Sequence, residues 1–249
     1  MISRHRLTIA LLWAATTFGS SLQAQEYHGT TGLMQVPTAE MDSAGTFRGG
    51  AVFLHQAFLP TQMRRKNTFG YTVGLTAFRW LELSYSCSML YMHKGGDPQA
   101  EMGYYNEDRH LNVKVMPLYE GRWWPSLAVG MDDVGRFERI STGVNGNNYF
   151  QNIYAMASKH FDLKGYELGA HIGYRYYTSN ANSDRRGVAG GISLRPAFYR
   201  PLRIMGEWDG IGVNVGADVL LWRHLFVHAV LVHGRGFTGG LSYHYRLKY

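Results

Sequence analysis

The chain has 249 residues and a formal net charge of +7, with 17% charged residues, 17 Tyr, 12 Phe, 6 Trp and 30 Gly. Its single cysteine excludes an internal disulfide framework, and no nucleic-acid module accompanies the positive charge, so no nucleic-acid partner is expected. The abundant aromatic residues suit the interfacial girdles of a membrane barrel, although a soluble β-sandwich or lipocalin-like protein could bury them instead.

The first 24 residues have the organisation of a secretory signal peptide. Arg4 and Arg6 form a basic start, residues 7–15 are apolar, and Ala24 is a small residue suited to cleavage before Gln25. A membrane anchor is the alternative, but the apolar run falls short of the ~20 residues that a spanning helix needs. We therefore expect residues 1–24 to be a cleaved signal peptide.

Residues 25–46 are unsuited to a regular strand. Gly29, Gly32 and Gly45 permit backbone angles that other residues avoid, and Pro37 cannot donate a hydrogen bond in a sheet. The segment is expected to be an irregular periplasmic lead-in below the barrel or a small plug inside it. The lead-in is the simpler expectation.

Residues 47–249 alternate between apolar and polar side chains, in segments bounded by turn residues. This pattern predicts about twelve strands, most of them close to the ~10 residues that a tilted membrane strand requires. The predicted fold class is all-β, a single antiparallel transmembrane β-barrel. The predicted strands are 47–57, 68–78, 80–91, 108–118, 123–132, 149–160, 165–177, 187–198, 201–209, 211–221, 224–232 and 236–248.

The predicted connections alternate between long and short over most of the chain. Outer-membrane barrels pair short periplasmic turns with longer external loops. This alternation predicts an even number of strands and both termini in the periplasm, although the last hairpins are tight on both sides. The long connections are 58–67, 92–107, 133–148 and 178–186, and the short ones are 79, 119–122, 161–164 and 199–200.

The last predicted strand resembles the closing strand of bacterial outer-membrane barrels. Its odd positions are apolar or aromatic, its even positions are polar, and it ends on an aromatic residue. We interpret the odd positions as the signal read by the barrel-assembly machinery. These residues are Tyr243, Tyr245, Leu247 and Tyr249.

Two segments carry a resemblance to a known family. Residues 29–41 (GTTGLMQVPTAEM) and 44–47 (AGTF) are similar to the opening of YjbH-type outer-membrane proteins, and residues 207–210, 214–216 and 240–243 resemble that family's closing hairpins. The resemblance implies an outer-membrane β-barrel of a Gram-negative-type bacterium, tied to production and export of exopolysaccharide or capsule. It brings no catalytic residues.

Charged residues of both signs occupy the positions opposite the apolar faces. Arg or Lys facing lipid at mid-depth costs about 2–4 kcal/mol, so these residues should face the lumen. They would form either a structural salt-bridge network, with Glu207, Arg203 and Arg175 as a first guess, or a polar conduit or binding cavity for a charged glycan. The lumen-lining candidates are Glu82, Lys114, Glu167, His171, Arg175, Arg203, Glu207, Asp218, His244 and Arg246, with Asp132, Arg195, His228 and Lys248 sharing the same face.

Aromatic residues at the predicted strand ends are interpreted as interface girdles. A platform for stacking sugars is the alternative. The residues concerned are Trp80, Trp123, Trp124, Tyr91, Trp208, Trp222 and Tyr199.

No enzymatic activity, metal or cofactor is expected. Ser242 and His244 both face inwards, but the strand rise separates their positions by ~7 Å, and the eleven His are scattered rather than spaced as metal ligands. The expected role is exopolysaccharide or capsule export or envelope assembly. A narrow channel for small solutes or oligosaccharides and a structural or adhesive barrel acting through external loops are alternatives. The expected partners are outer-membrane lipid, lipopolysaccharide and the assembly machinery, with polysaccharide and periplasmic export proteins as further candidates.

Overall fold

The chain forms a closed barrel of antiparallel strands, seen in a computed structural model that describes residues 25–134 and 149–247. The predicted signal peptide, most of the predicted 133–148 loop, Lys248 and Tyr249 lie outside these residues. Within the described ranges, no helix combines the length and apolar character needed to cross a membrane.

Twelve strands make up the wall, and each pairs with its two neighbours around the closed ring. The barrel closes where β1 pairs with β12, with Thr46 opposite Arg246. The predicted fold class and strand number are therefore confirmed. The strands are β1 Thr46–Leu54, β2 Thr68–Phe78, β3 Leu81–His93, β4 Met102–Leu118, β5 Ser126–Asp132, β6 Asn152–Leu163, β7 Tyr166–Tyr177, β8 Gly187–Arg195, β9 Leu202–Trp208, β10 Val213–Leu221, β11 Leu225–Val232 and β12 Gly236–Arg246, and the described short 3₁₀ helices are Gln56–Phe58, Thr61–Met63, Lys94–Gly96 and Asn180–Arg185.

The barrel has two rims, which differ in the chain segments they carry. The rim where β1 begins and β12 ends, here called the terminal rim, carries the connections 79–80, 119–125, 164–165, 196–201 and 222–224. The opposite rim, called the loop rim, carries 55–67, 94–101, 133–134, 149–151, 178–186, 209–212 and 233–235 among the described residues. Most of the longer connections therefore share one rim.

The predicted loop at 92–107 is wrong. β3 continues to His93 and pairs there with Met102, so only residues 94–101 connect the two strands. A register shift between Leu90 and Met92 interrupts the ladder. Such a bulge breaks the period-two pattern, so alternation along the sequence did not predict the outer part of this hairpin.

The outer surface of the wall is apolar and exposed. Phe69, Ile172 and Ile192 expose 65%, 62% and 61% of their surfaces, whereas neighbouring positions such as Thr68, His171 and Ser193 are buried towards the lumen. A continuous belt of exposed apolar side chains on a sealed sheet fits hydrocarbon as the surrounding solvent. Exposed tryptophans lie at the strand ends, namely Trp80, Trp123, Trp124 and Trp222 at the terminal rim and Trp208 at the loop rim.

The segment before β1 lies inside the barrel as a plug, which we define as residues 25–45. Residues 25–40 are all buried, so the segment is not a lead-in below the wall. Its regular pairing is limited to isolated bridges between Gln25 and Thr31 and between Gly32 and Pro37. Gly29 has φ +91° and packs against Thr72 and Ser84, where a side chain would be both strained and crowded.

Apolar residues of the plug pack against the wall in two clusters. Tyr27 and Met34 join Phe58 and Phe150 near the loop rim, whereas Leu33 and other plug residues pack against the inner wall. These contacts remove apolar area from water on both sides of the plug, which stabilises its position by the hydrophobic effect. The second cluster contains Leu33, Val36, Ala39, Met116, Ala128, Tyr154, Met156, Ala189 and Met205.

A charge on the outer wall should destabilise the barrel. Ile172 lies near the middle of β7 with its side chain exposed, so Ile172→Arg should lower the free energy of unfolding in lipid vesicles by about 2–4 kcal/mol. Urea titration followed by tryptophan fluorescence measures the change. The matched control, Ile172→Leu, should change it by less than about 1 kcal/mol. Equal stability of the two variants would mean that this face does not contact hydrocarbon.

Candidate functional site

The plug and the charged inner wall around it form the candidate site. An irregular segment buried in a protein cannot leave its backbone N–H and C=O groups without partners, and the plug has little secondary structure to supply them. In this barrel, side chains of the wall accept from or donate to many of the backbone groups of the plug.

Glu207 of β9 holds the turn of the plug that lies between the bridge partners Gly32 and Pro37. Its carboxylate accepts hydrogen bonds from the backbone N–H groups of Met34, Gln35 and Val36 at 3.0, 3.0 and 3.1 Å. Asn214 donates a fourth hydrogen bond at 2.8 Å. A single buried carboxylate therefore accepts hydrogen bonds from three consecutive backbone N–H groups, as an anion does in a nest of amides.

Arg175 and Arg203 bind carbonyl groups of the same stretch. Arg175 donates to the carbonyl of Gln35 at 2.6 Å, and Arg203 donates to that of Gly32 at 2.9 Å. Arg203 also pairs with Asp218 at 2.9 Å. The three side chains guessed to form one network thus converge on residues 32–36 of the plug. Among the described residues, no salt bridge joins Glu207 directly to either arginine.

A second group of charges holds the earlier part of the plug. Glu82 accepts from the backbone N–H and the hydroxyl of Thr31 at 3.0 and 2.9 Å. Lys114 lies 3.0 Å from Glu82 and donates to the carbonyls of Thr31 and Glu40, each at 2.8 Å. Arg48 completes the group, 3.1 Å from Glu82. All of these side chains are buried, so each depends on its partners for charge compensation.

Serines and an asparagine of the wall satisfy further groups of the plug. Ser158 accepts from the N–H of Ala39 at 2.9 Å, and Ser126 donates to the carbonyl of Ala39 at 2.7 Å. Ser84 and Asn112 donate to the carbonyl of His28 at 2.7 and 2.8 Å. Neutral donors on β3, β4 and β5 and a neutral acceptor on β6 thus extend the same form of contact.

The structure buries most of the predicted lumen-lining residues inside the barrel. Glu167 differs, because it is half-exposed at the terminal rim and pairs with Arg195 at 3.2 Å and with Arg200. Arg246 also differs, since it is exposed at the end of β12 where the barrel interior gives way to solvent. The buried candidates are Glu82, Lys114, Asp132, His171, Arg175, Arg203, Glu207, Asp218, His228 and His244.

The predicted assembly signal lies on the outer face where the structure describes it. Tyr243 and Tyr245 expose their rings, and Leu247 is exposed just beyond β12. Tyr249 is outside the described residues. Recognition of these residues by the assembly machinery stays a prediction.

Sequence analysis missed several residues of the site. Arg48 was missed because the alternation in the first strand is ambiguous, and Asp42, which Arg48 contacts at 2.7 Å, because it lies in the irregular segment. Arg185 lies in a predicted external loop, yet it is buried and donates to the carbonyls of Ala57 and Leu59 at 2.9 and 3.3 Å. An arginine in a loop gave no signal that it folds back over the lumen.

These contacts cover part of the loop rim. Phe58 and Leu59 are buried beneath Arg185, and the side chain of Gln35 in the plug donates to the carbonyl of Phe58 at 3.1 Å. Beside Gln25, Tyr27 and His228, a cavity of about 10 Å³ remains, room for about one water molecule. The plug and these contacts therefore occupy much of the lumen that the described residues enclose.

Ser242 and His244 are closer than the strand rise suggests. Ser242 Oγ lies 2.8 Å from His244 Nε2, so the expected separation of ~7 Å is wrong for the side-chain atoms. Both side chains are buried, and His244 stacks on Phe226. Nδ1 of His244 has no hydrogen-bond partner among the described residues, whereas a nucleophile–base pair needs an orienting group there.

A separate polar cluster joins the end of the plug to the terminal rim. Glu40 lies 3.1 Å from His160 of β6, and His160 in turn contacts Glu120 at 2.7 Å. Burial alone would raise the pKa of Glu40, but His171, His160 and Arg203 outweigh it and hold that pKa well below its usual value. Burial likewise opposes ionisation of Glu120, whose pKa is nevertheless lowered by its hydrogen bonds from His160 and Lys159.

Comparison with known families finds one matching model. The YjbH model, described as "Exopolysaccharide biosynthesis protein YbjH", matches residues 24–195. That range comprises the plug and β1 to β8. A relative from Escherichia coli (strain K12), named "Uncharacterized lipoprotein YjbH", is 25% identical over 218 residues, covering 84% of this chain and 28% of the relative. The chain thus spans less than a third of that relative's length.

Two solved structures have a distant likeness to the barrel. Outer membrane phospholipase A from Escherichia coli is 10% identical with a TM-score of 0.35, covering 83% of this chain and 98% of that one. The Salmonella typhi outer membrane phospholipase dimer with bound calcium is 9% identical with a TM-score of 0.33, covering 83% and 91%.

Neutralising Glu207 should loosen the plug. Glutamine offers a single acceptor oxygen to the three backbone N–H groups, so Glu207→Gln should lower the free energy of unfolding by about 2–3 kcal/mol. Urea titration of the barrel in lipid vesicles measures it. Glu167→Gln is the matched control, because Glu167 is half-exposed at the rim, and it should cost less than about 1 kcal/mol. Similar costs for both variants would contradict the assigned role of Glu207.

Glu82 and Lys114 should be strongly coupled. Glu82→Gln leaves Arg48 and Lys114 partly uncompensated and should cost about 3–5 kcal/mol, whereas the double variant with Lys114→Met should cost clearly less than the sum of the single costs. A double-mutant cycle of unfolding free energies measures the coupling. The exposed pair Glu107–Arg109 should show less than about 1 kcal/mol in a parallel cycle. Additive costs at Glu82 and Lys114 would show that the two charges do not interact.

Proposed function

Since residues 24–195 match the family model, the chain belongs to the YjbH family, and we propose that it is a plugged outer-membrane barrel serving exopolysaccharide export or envelope assembly. The family match is the observation that carries the role. Because the chain spans 28% of the Escherichia coli relative, the activity of that whole protein is not transferred to this one.

The apolar outer wall supports a location in the outer membrane. A sealed antiparallel barrel has no open edge strand, so it can face hydrocarbon without unsatisfied backbone groups. Outer-membrane barrels carry their longer loops outside the cell, which supports an orientation with the terminal rim, and both chain ends, in the periplasm. Lipid and lipopolysaccharide would then surround the wall, and the assembly machinery would insert it.

The plug in the lumen limits how such a barrel could pass a glycan. Passage of a glycan would have to break the contacts that Glu207, Arg175, Arg203, Glu82 and Lys114 make with the plug. A barrel that conducts must therefore release its plug, through polysaccharide or a periplasmic export protein that binds it. A barrel that supports envelope assembly can keep the plug in place.

The proposal assigns no enzymatic reaction to the barrel. The Ser242–His244 pair is buried and lacks a third group on His244 Nδ1 within the described ranges. Small-solute conduction stays an alternative that would require the same release of the plug. Adhesion through the loop rim is a further alternative, although Arg185 and Phe58 tie part of that rim into the lumen.

Loss of the protein should change the exopolysaccharide that the cell exports. Deleting the gene should lower the amount, or alter the chain length, of surface polysaccharide, and the wild-type gene in trans should restore both. Chemical quantification and size-exclusion analysis of polysaccharide from cell surface and periplasm measure the effect. Periplasmic accumulation in the deletion strain would indicate a role in export.

Complementation with two matched variants tests whether the plug matters for this role. If the plug must be held, Glu207→Gln should not restore the wild-type amount and chain length of surface polysaccharide. Glu167→Gln should restore both fully. Membrane levels of both variants are compared by immunoblot. Unchanged polysaccharide amount and length in the deletion strain itself would reject the proposed function.

A further inference from the structure

Three metal-ligating side chains from three different segments converge near the terminal rim. Glu40 comes from the plug, His160 from β6 and His171 from β7, and their ligand atoms all lie within 4.8 Å of one another. Glu40 and His171 are buried, and His160 is partly so. Two imidazoles and one carboxylate are a ligand set that proteins use for zinc.

The closest pair already has the spacing of two zinc ligands. His160 Nε2 lies 3.1 Å from Glu40 Oε1, and two ligands bound at ~2.0–2.1 Å in a tetrahedral site lie roughly 3.3–3.4 Å apart. The other oxygen of Glu40 accepts a hydrogen bond from Thr38 at 2.8 Å. That bond orients the carboxylate and leaves Oε1 facing the histidines.

Hydrogen bonds hold both imidazole rings in place. Glu120 contacts His160 Nδ1 at 2.7 Å, and Ser158 and Ser193 contact Nδ1 and Nε2 of His171 at 2.9 and 3.1 Å. A carboxylate that accepts from Nδ1–H of His160 places the lone pair on its Nε2, where a metal binds, and His171 would exchange one serine contact for the ion. Glu120 is itself fixed, because it also accepts from the backbone N–H of His160 at 2.9 Å.

Gly169 keeps space open between the two rings. It pairs with His160 across the sheet, and a Cβ atom at this position would lie 2.8 Å from His171 Nε2 and 3.2 Å from His160 Cδ2. The absent side chain therefore leaves a gap bordered by both histidines and by Ser193 Oγ, which would lie 2.4 Å from that Cβ. The ring centroids are 5.6 Å apart, so small rotations would bring one nitrogen of each ring to a shared ion.

We propose that Glu40, His160 and His171 bind one Zn²⁺ ion, which fastens the end of the plug to β6 and β7 at the terminal rim. Three protein ligands leave a fourth position for water. The oxygen-preferring ions Ca²⁺ and Mg²⁺ would find one carboxylate and two imidazoles here, a poor set for either. The proposal goes beyond the family role and does not depend on exopolysaccharide.

Zinc binding by the untagged full-length protein in detergent tests the site. After removal of metal with a chelator and dialysis, titration with Zn²⁺ should show one ion per chain, and the ion should raise the midpoint of thermal unfolding. His160→Gln, His171→Gln and Glu40→Gln should each abolish stoichiometric binding. Glu120→Gln, which alters only the orienting partner, should weaken binding about 10–100-fold.

His244→Gln is the matched control, because His244 is a buried histidine of the same wall that lies outside the cluster. It should keep one Zn²⁺ per chain. A shift in gel mobility on heating checks that every variant forms a folded barrel. Absence of stoichiometric binding in the wild type, or its retention in the folded double variant H160Q/H171Q, would overturn the proposal.

Discussion

The constraint on which the structure depends is the need to satisfy an irregular backbone inside a closed barrel. The plug has little secondary structure, yet residues 25–40 are buried. Each unpaired buried amide or carbonyl would cost about 1–3 kcal/mol. Charged side chains of the wall meet this need, with Glu207 accepting from three successive N–H groups and Lys114 donating to two carbonyls.

The same constraint explains how the barrel tolerates so many buried charges. A buried ion pair alone is weak evidence for stability, because desolvation offsets the attraction. Here Glu82, Lys114 and Arg203 each bind an opposite charge and a polar group of the plug. The wall charges and the plug are therefore mutually dependent. Without the plug, these charges would keep their ion pairs but lose the polar groups of the plug that they bind. Water would then have to fill the lumen.

This dependence relates the fold to the function. The family match covers both the plug and the strands that hold much of it, β3 to β8. Glu207 and Arg203, on β9, lie beyond the matched range. Polar contacts hold the plug in the lumen, and a partner that offers equivalent contacts could replace them. The cluster at Glu40 lies at the end of the plug, next to the terminal rim.

Sequence alone predicted the wall well and the lumen only in part. Hydrocarbon outside and polar groups inside impose alternation, so most strands were predicted. The exceptions are the first strand, whose alternation is ambiguous, and the bulge at Leu90–Met92, which disturbs the period. The sequence also predicted that the side chains of Glu82 and Arg203 face the lumen. Their partners were not predicted, because cross-strand register and the position of the plug arise from tertiary contacts. Glu40, His160 and His171 show the limit most clearly, since no spacing along the chain connects them.

Hydrogen–deuterium exchange of the plug amides tests the central claim most directly. In the wild-type barrel in lipid vesicles, the N–H groups of Thr31, Met34, Gln35 and Val36 should exchange as slowly as those in the middle of β7, because carboxylates of the wall accept their hydrogen bonds. Exchange as fast as that of the exposed residues in the connection 55–67 would contradict the account. It would show that the plug does not stay in the lumen.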